Sequence, residues 1–113
     1  MEEEPKYYVY VIDLDRSIYQ NEKKFREANP QYEEEEEGKP CVYVGQSFVE
    51  PKERFQQHKS GYKSNKYARK YGLCLKKNRI PHKNPHFTRI AVEKKEEEVA
   101  KTLKKRYWAV WWN

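Results

Sequence analysis

Tyr43-Val44-Gly45-Gln46-Ser47 closes an apolar run and opens onto a strongly basic segment. The run from residue 41 to 46 has the β-branched and aromatic content of a strand. It ends at a glycine, which lets backbone approach a ligand or a packed helix closely. Pro51 then suits the first turn of a helix reaching Lys59, and Gly61 stops it. Within that helix Arg54 and His58 stand one turn apart and put two donors on one face. A second strand at 7–14, Tyr7-Tyr8-Val9-Tyr10-Val11-Ile12-Asp13-Leu14, lies upstream.

Parity relates the two strands. Tyr43 and Gly45 share one face of the second strand, and Val42 and Val44 share the other. In the first strand Val9 and Val11 oppose Tyr8, Tyr10 and Ile12. If the valines of both strands pack in one layer, Tyr10 and Tyr43 point to the opposite surface beside Gly45. Plain β-propensity also explains tyrosine in strands.

The remaining elements follow from punctuation. Asp15 or Ser17 is placed to cap a helix running to Ala28 before Asn29-Pro30. Residues 33–37 are a glutamate run closed by Gly38-Lys39-Pro40 and read as a solvated loop. A short helix is expected over Lys66 to Tyr71, ended by Gly72, and residues 76–86 read as a basic loop. His86 to Val92 reads as a third strand. A helix over Lys94 to Arg106 follows, and the aromatic end from Tyr107 to Trp112 is a candidate last strand.

The chain has 113 residues, enough for one domain with a modest core. Charged residues make up 37% and the mean hydropathy is −1.30. Ten tyrosines and three tryptophans argue against disorder, and the tryptophans are expected in the core rather than at an interface. No apolar run reaches membrane-spanning length. The start Met1-Glu2-Glu3-Glu4 is the opposite of a secretory signal, so a soluble, cytoplasmic protein is expected. Cys41 and Cys74 sit among apolar residues and read as buried, reduced thiols. A zinc set of Cys41, Cys74, His82 and His86 lacks the short Cys-x-x-Cys pair of structural sites.

Charge is sharply divided. Residues 1–38 carry twelve acidic and five basic side chains, whereas residues 52–89 carry twelve basic and one acidic. Such a basic block, interleaved with Tyr, His and Phe, favours a polyanion partner over a merely solvated surface. Gly45, Lys59, Lys63, Lys66, Arg69 and Lys70 are the candidates for contacting nucleic acid.

The last helix holds one further candidate. At ~100° per residue, Val99, Ala100, Leu103 and Tyr107 form an apolar stripe, and Glu96 falls at its middle. An inward carboxylate is costly unless it is paired or binds a metal. It also stays wet if it lies in the first helical turn, where the helix dipole favours it.

Taken together, these pieces resemble the GIY-YIG nuclease family, with small bacterial stand-alone members as the nearest likeness. Tyr8-Val9-Tyr10 stands at the first signature element and Tyr43-Val44-Gly45 at the second. Arg54, His58 and Glu96 stand at the helix arginine, the following histidine and the metal-binding glutamate. The likeness runs from Tyr7 to the C-terminus. It departs from the family at Tyr8, where a glycine is usual, and in the 32 residues between Tyr10 and Tyr43, which imply an inserted helix and acidic loop over about 16–40.

The resemblance implies an α+β fold, a small three-stranded, mainly antiparallel sheet flanked by helices, in one domain over 1–113. It implies a Mg²⁺- or Mn²⁺-dependent endonuclease that hydrolyses phosphodiester bonds, with DNA ranked ahead of RNA. Tyr10 would be the general base, its pKa lowered by the metal and nearby cations and aided by His58. Tyr43 would position phosphate or water, Arg54 would neutralise charge on the scissile phosphate, and Glu96 would hold the metal. The chain would act as a monomer or weak homodimer. The competing readings are a nucleic-acid-binding module that does not cleave and an inactive, engineered scaffold of the same fold.

Overall fold

Strand β1 (Tyr8–Leu14) pairs antiparallel with β2 (Cys41–Ser47), Tyr10 facing Gly45 and Ile12 facing Tyr43. The structure, a computed structural model, describes residues 5–32, 39–81 and 84–112. Residues 1–4, the glutamate run 33–37 with Gly38, His82, Lys83 and Asn113 lie outside them.

Alternation sorts the two strands as their sequences require. Val9, Val11, Val42 and Val44 enter one buried layer with Val92, Ala100, Leu103, Trp108 and Val110. Tyr10, Ile12, Leu14, Cys41 and Tyr43 enter the other, with Ile18, Phe25, Tyr67, Ala68 and Tyr71. The sheet is therefore buried on both faces.

Two further strands complete it. Strand β3 (Gly72–Leu75) pairs antiparallel with β1, and β4 (Ala109–Trp112) pairs parallel with β2. The order is β3-β1-β2-β4. The fold is α+β as expected, but the sheet has four strands and is mixed, not three strands and mainly antiparallel. The aromatic tail supplies the extra strand, because Ala109 and Val110 are each buried in one of the two layers.

The third strand is not at His86 to Val92. His86 makes only an isolated bridge to Tyr7. The Thr88 hydroxyl accepts a hydrogen bond from the Ala91 N–H, and helix α5 (Arg89–Lys105) begins there, five residues before the expected start. Ile90 is 79% exposed, so the β-branched look of this stretch does not reflect burial. Tyr107 leaves the apolar stripe of α5: it lies beyond the helix with φ 67° and is exposed.

Cys41 is buried, as read, but Cys74 is exposed, because β3 is an edge strand that turns Leu73 and Cys74 to solvent. The helix expected up to Ala28 is two short helices, α1 (Ile18–Asn21) and α2 (Lys23–Glu27), broken at the extended Glu22. Helix α3 (Pro51–Ser60) starts at its proline and stops at Gly61, whose φ of 88° suits glycine. Helix α4 (Lys66–Tyr71) follows, and within the expected basic loop Lys77–Arg79 form a 3₁₀ turn. Trp108 is buried, while Trp111 and Trp112 pack half-buried against opposite layers. Among the described residues no helix is long and apolar enough to cross a membrane.

Candidate functional site

Helix α3 lies on the tyrosine side of the sheet and brings His58 under β1. His58 is 1% exposed, and its Nε2 lies 2.8 Å from the Tyr10 hydroxyl. The Asn65 backbone N–H donates to His58 Nδ1 at 3.1 Å. A backbone N–H can only donate, so Nδ1 is the acceptor and the neutral ring carries its proton on Nε2. His58 therefore donates to the Tyr10 oxygen. Burial first, and then the nearby Arg54 charge, lower the His58 pKa to about 4.

Tyr10 is equally buried. Burial is the main cause that raises its pKa above the ordinary phenol value, followed by Tyr43, while Arg54 opposes both. A side-chain contact with Tyr43 adds to the rise, and one with Arg54 works against it. The order of donation is thus Asn65 to His58 to Tyr10. The lowered phenol pKa expected for a general base is not produced by the protein environment alone. That environment keeps Tyr10 protonated.

Gly45 makes this packing possible. A Cβ there would collide with the Tyr10 hydroxyl, lie 2.5 Å from Tyr10 Cζ and 2.9 Å from Tyr43 Cε1. The rings of Tyr10, Tyr43 and His58 stand 5.6–6.1 Å apart, centre to centre. Close approach at Gly45 thus serves the protein's own phenol.

Arg54 extends from this cluster to solvent. Its Nη1 donates to Gln57 Oε1 at 3.0 Å and to the Tyr62 carbonyl at 3.3 Å, and Nη2 donates to the Lys63 carbonyl at 2.7 Å. The arginine holds the loop after α3 and lines a cleft of about 470 Å³ with Gln46, Phe48, Tyr62, Lys63 and Arg89. Among the described residues no carboxylate lines that cleft.

Glu96 is on the other side of the sheet. It is 3% exposed and lies on the face of α5 that buries Val92, Ala100 and Leu103 into the valine layer. The structure brings Tyr10, Tyr43, Gly45, Arg54 and His58 together and does not place Glu96 among them. Burial first, then Glu93, raise the Glu96 pKa to about 7, while a hydrogen bond from Gln46 lowers it. Glu96, Glu93, Glu97, Gln46 and Trp112 line a second cleft, so Gln46 borders both.

A buried carboxylate beside a second carboxylate is an electrostatic deficit that a cation relieves. Hard oxygen donors in this number suit Mg²⁺, which binds one or two carboxylates and keeps much of its water. The residues present fit that ion. Among the described residues no group of three His, Cys, Asp or Glu is arranged as a metal cage, and of the zinc set His82 lies outside the described residues.

Comparison with family models, curated proteins and solved structures finds no match.

The other expected contacts are dispersed. Lys59 Nζ bonds the carbonyls of Arg69 and Gly72, both at 2.9 Å, and so ties α3 to the end of α4. Lys66 and Lys70 lie over the rings of Tyr67 and Tyr71. Arg69 packs against Gly61, and Lys63 alone of this set lines the cationic cleft.

Sequence reasoning missed Asn65 and Gln46. Asn65 caps α4 with its side chain while its N–H holds His58. An asparagine before Lys66 is an N-cap signal, but its hold on His58 is not legible in sequence. Gln46 follows the glycine of β2 and so alternates onto the valine face toward Glu96, a position parity does predict.

Proposed function

We propose that the chain binds the phosphodiester backbone of nucleic acid and hydrolyses it with the help of a divalent cation, DNA ranking ahead of RNA. The observation that carries this reading is the shared border at Gln46. A cleft walled by Arg54, Lys63 and Arg89 adjoins a cleft walled by Glu93, Glu96 and Glu97. Cations alone suit binding, whereas a buried carboxylate next to a polyanion site repels the ligand unless a metal lies between them.

Arg54 is the group placed to meet a phosphate, as a fixed guanidinium at the cleft wall. Glu96, with Glu93 alongside, would hold Mg²⁺ or Mn²⁺, which when bound supplies charge stabilisation for the leaving oxygen and acidifies bound water. His58 donates to Tyr10, whose buried ring lies beside Tyr43 and interacts with Arg54, so this cluster would support Arg54 from beneath. Lys63 and Arg89 add screening for flanking phosphates.

The same fold serving as a non-cleaving nucleic-acid-binding module is favoured by one observation: Tyr10, Tyr43 and His58 are each at most 2% exposed. The deciding experiment incubates supercoiled plasmid, single strands and branched DNA with Mg²⁺ or Mn²⁺. Wild type is compared with Glu96→Gln, Glu97→Gln and Arg54→Ala. Nicking that is lost in Glu96→Gln and Arg54→Ala and kept in Glu97→Gln supports hydrolysis. Metal-independent binding with no cleavage of any substrate overturns it in favour of the binding module.

A further inference from the structure

Two exposed rings border the cationic cleft. Phe48 is 66% exposed and Tyr62 is 56% exposed. Solvent-facing aromatics of this size cost the hydrophobic gain that burial would bring, and they draw attention when they flank a concave site. Both are braced. The Phe48 ring leans on Tyr7, centroids 5.0 Å apart. The Tyr62 N–H donates to the Gln57 carbonyl at 2.9 Å and its carbonyl accepts from Arg54, so its backbone is anchored while its ring stays in solvent. Lys63 Nζ stands 5.7 Å from the centre of that ring.

The charges around these rings are positive. Arg54, Lys63 and Arg89 share the cleft, with Arg89 also 3.6 Å from the exposed Glu93. Rings that offer a face next to cations that track a backbone are what unpaired nucleotides require: the bases stack and the phosphates pair. In an intact duplex the bases are already stacked on one another, and surface rings reach them only if the helix is deformed. The cleft volume of about 470 Å³ lies within the range of pockets that enclose small-molecule-sized groups.

We infer that this cleft binds single-stranded nucleic acid, with bases stacking on Phe48 and Tyr62 and the backbone lying along Arg54, Lys63 and Arg89. The inference rests on the reading of the cleft as a phosphodiester site and names the substrate form it takes.

The test measures binding by fluorescence anisotropy in EDTA, so that cleavage plays no part. The probes are a labelled single strand of about 12 nucleotides, a duplex of the same length, and an abasic single strand of the same charge. The single strand is expected to bind more tightly than either of the others. Phe48→Ala and Tyr62→Ala are each expected to weaken it roughly 5- to 100-fold and to leave the abasic strand unchanged, while Tyr62→Phe binds like wild type. Arg89→Ala weakens all three probes alike. Circular dichroism checks that the variants, which alter exposed side chains, keep the fold. A duplex or abasic strand that binds as tightly as the single strand overturns the inference. So do aromatic variants that bind like wild type, or absence of binding to any probe. Aromatic-dependent single-strand binding by a protein that never cleaves leaves the inference standing and removes the hydrolase. Metal-dependent cleavage that is indifferent to Phe48→Ala and Tyr62→Ala does the reverse.

Discussion

Acidification tests the relay beneath Arg54 most directly. The Asn65 N–H fixes His58 as the Nε2–H form, and burial with Arg54 depresses the ring's pKa from 6.5 to about 4. Both states are neutral above pH 6.5. Between pH 6.5 and 4 the unfolded ring binds a proton that the folded ring refuses, so stability present above 6.5 is lost as pH falls through about 4. A shift of this size corresponds to a ceiling of about 3.4 kcal/mol. Arg54, whose charge contributes to the shift, opens to solvent at the cleft, and screening of that part reduces the effect to about 2 kcal/mol.

The control is His58→Gln, whose side-chain amide donates to Tyr10 but does not titrate. Carboxylates elsewhere titrate in both proteins and cancel in the difference. Urea denaturation at intervals from pH 7.5 to 4 is expected to show the wild type losing about 2 kcal/mol relative to His58→Gln. Long-range ¹H–¹⁵N spectra are expected to show a protonated Nε2, an unprotonated Nδ1, and a midpoint near 4. A difference in stability that stays flat across this range, a proton on Nδ1, or a midpoint at or above 6.5 would refute the reasoning.

Other outcomes follow from single contacts. Gly45→Ala drives a methyl into the Tyr10 hydroxyl and is expected to cost about 1–3 kcal/mol, and the same ¹⁵N spectra will show the His58–Tyr10 bond broken. Asn29→Ala deprives the Val110 N–H and the Phe25 carbonyl of their partners in the core and is expected to cost about 2–4 kcal/mol in denaturation. Mg²⁺ at about 10 mM, for a Kd of about 1 mM, stabilises the wild type by about 1.4 kcal/mol and leaves Glu96→Gln unmoved in the same assay. Arg54→Ala weakens binding of a single strand by roughly 10- to 100-fold, whereas Arg54→Lys recovers only part because it cannot bridge the carbonyls of Tyr62 and Lys63.

Local rules carried the strands β1 and β2 and the helices α3 and α4. Alternation of valine and tyrosine needs no knowledge of the partner strand, and Pro51 and Gly61 mark their helix ends by backbone geometry alone. The inward phase of Glu96 was legible for the same reason. What failed depends on contacts distant in sequence. Strand β3 has four residues and two exposed side chains, so its identity comes from pairing with β1 rather than from an apolar pattern. The strand at β4 was legible in its aromatic run, but its parallel seat depends on β2, far upstream in the chain. At Arg89–Val92, β-branched residues suggested a strand, but the Thr88 cap and a single buried residue, Val92, decided for helix.

The site divides in the same way, and the division constrains the chemistry. Parity put Tyr10 and Tyr43 together because both belong to one sheet. Nothing in the helical phase of Glu96 says which face of the sheet α5 covers, and it covers the valine face. A phosphate cannot touch Tyr10 and Glu96 through the sheet between them. It can meet Arg54 and a cation held at Glu96 only where β2 ends, at Gln46 and Ser47. Hydrolysis, if the chain performs it, therefore runs at the rim of the sheet, with Arg54 and the carboxylates as the groups in contact. The buried phenols then set the position and field of Arg54 rather than take the proton from water. Tyr10→Phe separates the two roles. As a positioning residue, its loss lowers cleavage while an acidic limb of the pH–rate profile set by Glu96 stays in place. As the base, its loss removes the rise of rate with pH altogether.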